Sequence, residues 1–449
     1  MTVELDAIVE RLAAEAATDV GVEAYAELTT ETSVTAFQAE VERLTSASSS
    51  GVGVRVVKDG RLGYAYTADL SDDGLRECLA EARANLEVSG EDPGNVLPEA
   101  SAYQALEGLF DTRLADTDPE RKVALALDLE ARTRAADPKV TQVESARYGD
   151  VVGEVAVASS LGVSGSFAVT HAWCVSVAMA TEDGESQIGY AVDTARALDD
   201  LDPGPVAREA ADRAVRMLGA TKPPTRTIPV VFDRMVAPSL LGVLLAGLSA
   251  EEVQKGRSLF AGRIGEQVGA AGVRLVDDGR LVAGPGAAPF DGEGVPTQRT
   301  VLIEDGVLQC FLHNTASAAR EGDGVRSTGN ARRGSFKSTP GISAHNLFLE
   351  PGDLDQAGLL SRAGEGLLVQ DVSGVHSGAN PITGDFSVGV SGLLFRDGQL
   401  AEPIREATVA AHLLDILKGI DAVGSDLRFT TGSIGGSSLL IGQMTVAGA

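Results

Sequence analysis

The sequence predicts an α+β protein of two domains, with helices on a sheet in the first half and mainly strands in the second. Its 449 residues exceed one ordinary core, since domains usually hold ~100 to 200 residues. Fifty-two glycines and only 4% aromatic residues indicate many tight turns and sheets built from small aliphatic side chains. Helical and β-type patterns alternate before residue 221, and short strand patterns dominate after it.

The first half begins with a helix followed by a β-hairpin. Apolar residues of the first segment recur at helical spacing, at Leu5, Ile8, Val9 and Leu12. Residues 20–67 then alternate polar and apolar side chains, which is typical of strands, and Asp59-Gly60 separates two such runs. Because Asp-Gly favours a two-residue hairpin turn, we expect paired strands on either side of it.

Three more helices and a second β-type region complete the first half. Ser71 is a predicted N-cap for a helix that buries Cys78 on its apolar face, and Asp118-Pro119 begins the next helix. Residues 139–193 return to alternation, and a helix is predicted from Pro205 to about Leu218. The segment TKPPTRT at 221–227 interrupts these patterns, so we expect domains at 1–221 and 222–449.

The second half is predicted to be mostly β and to form a closed or strongly curled sheet. It begins with the strand IPVVF and a helix over GVLLAGLSAEEV, residues 242–253. Asp-Gly pairs at 278–279, 305–306 and 397–398 predict three hairpin turns. A last helix is expected over about 406–418, ending at Gly419.

Charge and cysteine content exclude several classes of protein. A net charge of -27 repels nucleic acid phosphates and anionic lipid, so neither is an expected partner. No segment approaches the ~18 apolar residues of a membrane-spanning helix, and the N-terminal segment lacks the features of a signal peptide. The three cysteines are scattered and odd in number, as expected of buried thiols in the cytoplasm.

Few residues form a recognisable catalytic pattern. No His-Glu pair occurs, and no two of the five histidines lie within five residues of each other, so the helical zinc-peptidase motif is missing. A metal site built from His313, His345 and His376 is an alternative. His412 is expected to be structural. His376, Ser377 and Asp385 are a candidate hydrolase triad, and Asp291 and Glu293 in AAPFDGEG form either an acid-base pair or a turn.

A long segment, residues 313–341, has little apolar periodicity and concentrates basic residues in an acidic protein. Passive connections are usually shorter, so this segment is either functional or a solvated loop of mixed charge. Its cations are Arg320, Arg326, Arg332, Arg333 and Lys337. Arginine pairs well with carboxylates, so a peptide terminus or an acidic protein surface would suit it as a ligand.

Several motifs occur in the order found in one family. The sequence contains VRVVKDGRLGYAYT, GVLLAGLSAEEVQKGRS, APFDGEG, LHNTASAAR, RSTGNARR, HSGANPITGDFSVGVSG and a closing MTVAGA. Together they resemble the TldD/PmbA family of modulators and peptidases, through most of the chain and best from residue 232 onward. The resemblance implies an N-terminal domain of helices on an antiparallel sheet and a C-terminal β-barrel-like domain.

The resemblance also implies a role without catalysis. TldD-type subunits of the family carry H-E-x-x-x-H on a helix and act as zinc peptidases, whereas PmbA/TldE-type subunits lack these ligands and pair with them. Here Ala246, Gly247 and Glu251 stand at the three positions, and the C-terminal cysteine ligand of the peptidase is missing, since Cys310 is the last cysteine. The chain thus resembles the metal-free subunit, with no catalytic residue, metal ligand or cofactor of its own.

By this resemblance the partner is a TldD-type subunit, and the pair would enclose a cleft for unfolded peptides that are processed or degraded. Motif positions supply the candidate substrate contacts, which are Asn314, Asn330, Arg333, His376, Asn380 and Asp385. Two alternatives stay open: an independent hydrolase using the residues from His376 to Asp385, and a homo-oligomeric module, such as a homodimer, that binds peptides through the basic segment.

Overall fold

The first half folds as one antiparallel sheet of six strands. The computed structural model describes residues 4–322 and 324–448. The strands are β1 (Gly21–Phe37), β2 (Glu40–Lys58), β3 (Arg61–Thr67), β4 (Val140–Ser159), β5 (Ser164–Glu182) and β6 (Glu185–Ala195). Their order in the sheet is β3-β2-β1-β4-β5-β6. The turn at Asp59-Gly60 has positive φ at both residues (49° and 72°), so the predicted hairpin is confirmed.

Helices cover one face of this sheet. They are α1 (Leu5–Ala14), α2 (Asp72–Val88), α3 (Thr112–Ala115), α4 (Pro119–Ala135) and α5 (Pro203–Val215). Small side chains of β1 such as Ala24 and Ala26 face α1 and α2, which lets the helices pack closely. The Ser71 hydroxyl accepts a hydrogen bond from the Gly74 N–H, as its predicted capping role requires. Cys78 lies in this core, and burial raises the pKa of its thiol to about 11.

The second half contains a closed barrel. Its strands are β7 (Arg226–Phe232), β8 (Leu275–Asp278), β9 (Arg299–Glu304), β10 (Val307–Leu308), β11 (Ala331–Arg332), β12 (Gly341–Ile342), β13 (Leu347–Leu349), β14 (Gly366–Ser373), β15 (Asp385–Arg396), β16 (Gln399–His412), β17 (Ile420–Val423) and β18 (Leu439–Ala447). Strands β16, β15, β14, β7 and β18 follow one another, and β16 also pairs with β18, which closes the ring. The expected barrel-like domain is confirmed.

Short helices connect the strands of this half. They are α6 (Ala237–Gly247), α7 (Ala250–Gln254), α8 (Thr315–Glu321), α9 (Gln356–Ala363), α10 (Val375–Gly378) and α11 (Leu413–Lys418). Leu241, Leu244 and Leu248 lie in the barrel core, as the apolar stripe predicts. No helix within the described part of the chain is long and apolar enough to cross a membrane.

Three local predictions for this half are wrong. GVLLAGLSAEEV is two helices, because Leu248 and Ala250 exchange backbone hydrogen bonds with Leu312 and interrupt the helical ladder between them. Residues 406–412 belong to β16, where barrel pairing prevails over the apolar spacing. Asp278-Gly279 is followed by a long connection, and β8 pairs with β9 and β13 without a two-residue hairpin.

Candidate functional site

The end of α6 carries the three positions at which the family resemblance places metal ligands. Ala246 is exposed and Gly247 is buried, and neither side chain has a donor atom. Glu251 lies on the separate helix α7, where its carboxylate forms a 2.8 Å salt bridge with Lys255. A Cβ added at Gly247 would lie 3.1 Å from the ring of Phe260, so a larger side chain is tightly constrained. These residues do not fit a zinc ion.

The histidines of the alternative metal site lie in three different environments. Nδ1 of the buried His313 lies 3.1 Å from the Ser317 hydroxyl. Both ring nitrogens of His345 face backbone carbonyls, at 3.0 Å from Gly286 and 2.7 Å from Gly329. His376 is exposed on α10. Within residues 4–322 and 324–448, no three His, Cys, Asp or Glu side chains form a group that could hold a metal ion.

Three of the six predicted substrate contacts lie around one exposed turn before β15. The Asn380 side chain accepts hydrogen bonds from the N–H groups of Ile382 and Thr383. Asp385 accepts a 2.6 Å hydrogen bond from the Thr383 hydroxyl. His376 forms no hydrogen bond with Ser377 or Asp385 among the described residues, so the geometry of a catalytic triad is not formed.

His412 has a structural role in this region. Its Nε2 donates to the Thr383 carbonyl at 3.0 Å, and its Nδ1 accepts from the Leu414 N–H at the start of α11. Both ring nitrogens are thus used by neighbouring backbone, as the structural interpretation of the sequence expects.

The two other asparagines of the predicted set are buried and shape the backbone. Asn314 caps α8: its side chain accepts from the Ser317 N–H, and the Ser317 hydroxyl accepts from the Asn314 N–H. Asn330 donates to a carboxylate oxygen of Asp277 at 2.6 Å and to the carbonyl of Ser343 at 3.1 Å. Residues 313–322 and 324–341 therefore form part of the wall of the C-terminal half, with α8 and β11 among them.

Arg333, the sixth predicted contact, joins the two halves of the protein. Its side chain is only 1% exposed and pairs with Glu23 of β1. Glu23 also pairs with Arg55 of β2 at 2.5 Å, and Arg55 contacts Glu293 at 2.9 Å. We call Glu23, Arg55, Glu293 and Arg333 the charge cluster between the two halves. Burial favours the neutral form of Glu23, yet Arg55 and Arg333 hold its pKa below the usual value.

Sequence reasoning pointed to only part of this cluster. Arg333 and Glu293 were candidates for other roles, whereas Glu23 and Arg55 lie in strands with no local signal for a partner hundreds of residues away. Both strand residues lie on the face opposite the apolar positions of Ala24 and Val54, where a charged side chain is expected to be solvated. Asp291 is a turn residue, since its carboxylate accepts hydrogen bonds from the N–H groups of Glu293, Val295 and Ala331.

Comparisons with known proteins agree along the chain. Models of three domains of one family match it, described as PmbA/TldA metallopeptidase domain 1 (residues 22–86), central domain (112–218) and C-terminal domain (225–448). The chain is 29% identical to Metalloprotease PmbA of Escherichia coli O157:H7 over 432 residues, which are 95% of this chain and 92% of that protein.

Solved structures show the same architecture. A protein from Thermotoga maritima, described as a proposed modulator of a DNA gyrase, superposes with a TM-score of 0.91 at 29% identity, covering 99% of this chain and 100% of that one. TldE from Thermococcus kodakarensis superposes with a TM-score of 0.88 over 99% of both chains. At 21% identity, this second match shows a shared fold alone.

Proposed function

Because the chain belongs to the PmbA/TldD family of metallopeptidases, we propose that it is a metal-free subunit of a peptide-processing complex. It would pair with a TldD-type zinc peptidase and form part of the enclosure that admits unfolded peptides. In this proposal the partner supplies the metal and the hydrolytic chemistry. This chain supplies a folded counterpart of the peptidase subunit.

The main support for this proposal is the lack of metal-binding side chains in the α6–α7 region. Ala246 has no donor atom, Gly247 packs against Phe260, and the Glu251 carboxylate is paired with Lys255 on a separate helix. A structural zinc or catalytic zinc needs at least three protein ligands with nitrogen, sulfur or oxygen donors. The apolar stripe of α6 is retained, because the barrel core needs it whether or not a metal binds.

The first experiment is elemental analysis of the purified chain after incubation with excess zinc and desalting. We expect essentially no retained zinc. One zinc held tightly per chain would contradict the proposal and would direct attention to His313, His345 and His376 as ligands.

The second experiment mixes the chain with a TldD-type homologue that carries H-E-x-x-x-H. We expect the isolated chain to cleave no unfolded peptide, and the mixture to show cleavage that EDTA abolishes and to elute as one complex in size-exclusion chromatography. A matched control mixes the homologue with bovine serum albumin. Cleavage that does not change when this chain is added would overturn the proposed partnership.

The independent-hydrolase alternative has its own test. Replacing His376 by Ala would abolish a partner-independent activity if that residue carried it. Because His376 is exposed and hydrogen-bonded to neither Ser377 nor Asp385 within the described residues, we expect the variant to behave like the parent chain.

A further inference from the structure

A cleft with apolar walls lies between the first sheet and the C-terminal half. Tyr25, Val155, Phe167 and Val169 line it from β1, β4 and β5, on the face opposite the helices. Residues 285–288, 290–292 and 331–333 form the other wall together with His345. Its volume is about 190 Å³. Phe167 and Val169 are only half-buried, so this part of the sheet has apolar surface that the protein leaves uncovered.

All but one of the ionisable side chains along the cleft already have partners. Arg333 pairs with Glu23 and lies over the Tyr25 ring, 4.7 Å from its centroid. Asp291 is satisfied by three backbone N–H groups, and backbone carbonyls face both ring nitrogens of His345.

Arg332 is the exception. It lies on β11 opposite Gly341, is exposed, and forms no salt bridge or side-chain hydrogen bond within residues 4–322 and 324–448. A guanidinium keeps its charge at neutral pH and presents five N–H donors in a planar fork that matches a carboxylate. The chemistry of a guanidinium beside apolar walls matches that of a carboxylate that carries an apolar group.

We propose that this cleft binds the C-terminal carboxylate of a peptide whose last side chain is apolar. The carboxylate pairs with Arg332, and the last side chain packs against Phe167, Val169 and Phe290. The volume supports a short segment of chain, because pockets for drug-sized ligands hold about 300 to 1,000 Å³. The net charge of -27 disfavours anions in general, so a bound carboxylate depends on this local cation.

The choice of a peptide as the source of the carboxylate rests on the proposed function, since a peptide-processing complex meets free C-termini in its substrates and products. The chemistry of the cleft itself does not depend on a partner subunit. Binding is therefore measured on the isolated full chain, and a failure of the mixing experiment would leave this result unaffected.

The experiment measures fluorescence anisotropy of an N-terminally labelled pentapeptide ending in Leu, at fixed low ionic strength. The free acid is compared with the same peptide as a C-terminal amide. We expect the acid to bind about tenfold tighter or more, because a hydrogen-bonded ion pair is lost in the amide. Equal affinity of acid and amide would overturn the proposal.

Two variants locate the effect. Arg332→Gln removes the charge of an exposed residue that has no ion-pair partner among the described residues, so we expect the fold to persist. Circular dichroism will check this. In this variant the peptide acid should bind no better than the peptide amide. Arg326→Gln is the matched control, because Arg326 is another exposed arginine of the same segment and does not line the cleft. Equal weakening by both variants would show nonspecific charge attraction and contradict the site.

Competitors separate the possible sources of the carboxylate. N-acetyl-leucine is expected to compete far more weakly than the unlabelled pentapeptide acid, and equal competition would assign the cleft to small carboxylates. A pentapeptide amide with Asp as its last residue should bind like the Leu amide. Binding of this peptide as tightly as the Leu acid would assign Arg332 to acidic side chains and overturn the C-terminal assignment.

Discussion

At the residue scale, Glu23 is a buried carboxylate that contacts arginines from both halves of the protein. Its carboxylate pairs with Arg55 and Arg333, and together with Glu293 it balances the charge of these two almost completely buried guanidinium groups. Removing one partner from a buried charge cluster leaves the others uncompensated, which costs more than the loss of the contact alone. The cluster therefore makes the contact between the two halves intolerant of single charge changes.

We predict that Glu23→Gln lowers the free energy of unfolding by about 3 to 5 kcal/mol at pH 7. Urea denaturation followed by circular dichroism will measure it. The matched control is Glu182→Gln, which removes the carboxylate of a surface pair with Lys139 whose side chains are 46% and 42% exposed, and should change stability by about 1 kcal/mol or less. Equal effects of the two substitutions would contradict the role of the cluster.

The stability difference between the parent chain and Glu23→Gln should also depend on pH. The folded pKa of Glu23 is below its ordinary value of 4.5, so its contribution is fully present above pH 4.5 and is lost as the pH falls through the folded pKa. We expect the stability difference between the parent chain and Glu23→Gln to narrow below pH 4.5. A difference that stays constant down to pH 3 would contradict this assignment.

Asn314 allows a structural role to be separated from substrate binding. We predict that Asn314→Ala lowers the free energy of unfolding by about 1 kcal/mol, because the N-cap of α8 is lost. Asn314→Ser, which keeps an oxygen acceptor, should recover part of that loss. Peptide affinity should be unchanged in both variants, and a selective loss of affinity without a loss of stability would support the original substrate-binding prediction instead.

At the scale of elements, the sequence predicts correctly those turns and helix starts that depend on neighbouring residues. The Asp59-Gly60 turn, the Ser71 cap and the Asp118-Pro119 start are set by neighbouring residues, and each is confirmed. The break at Leu248 and the strand over 406–412 depend on partners remote in sequence, Leu312 and β18, so helical spacing alone gave the wrong element. The cleft around Arg332 was not predictable for the same reason, since its walls come from both halves.

The break between α6 and α7 leads to a further prediction. In Ala246→His/Glu251→His the two imidazoles lie on separate helices, and no cysteine follows Cys310 to supply a further ligand. We expect this double variant to bind zinc weakly, and to lose it on desalting, because a stable site needs three or four protein ligands. Elemental analysis will measure retention, with the parent chain as control. One zinc retained per chain would show that the region still has the geometry of a metal site.

At the scale of the whole molecule, we expect the charge cluster between the two halves to couple them in unfolding. The single Trp173 lies in β5, so its fluorescence reports on the first half, whereas far-UV circular dichroism reports on both. We predict that the two urea transitions coincide in the parent chain and in Glu182→Gln, and separate in Arg333→Gln. Coincident transitions in Arg333→Gln would show that other contacts couple the halves.

The distance along the chain between Glu23 and Arg333 also affects how the protein is made. These residues are 310 positions apart, so at about 5 to 20 residues per second a ribosome needs about 15 to 60 s to add Arg333 after Glu23. Once β6 has been added the sheet of the first half can form, but Glu23 and Arg55 on its outer face still lack Arg333 and Glu293, and the apolar surface beside them is uncovered. The nascent first half therefore exposes an apolar sheet face that is prone to aggregation. Chaperones are expected to bind this face until the second half covers it.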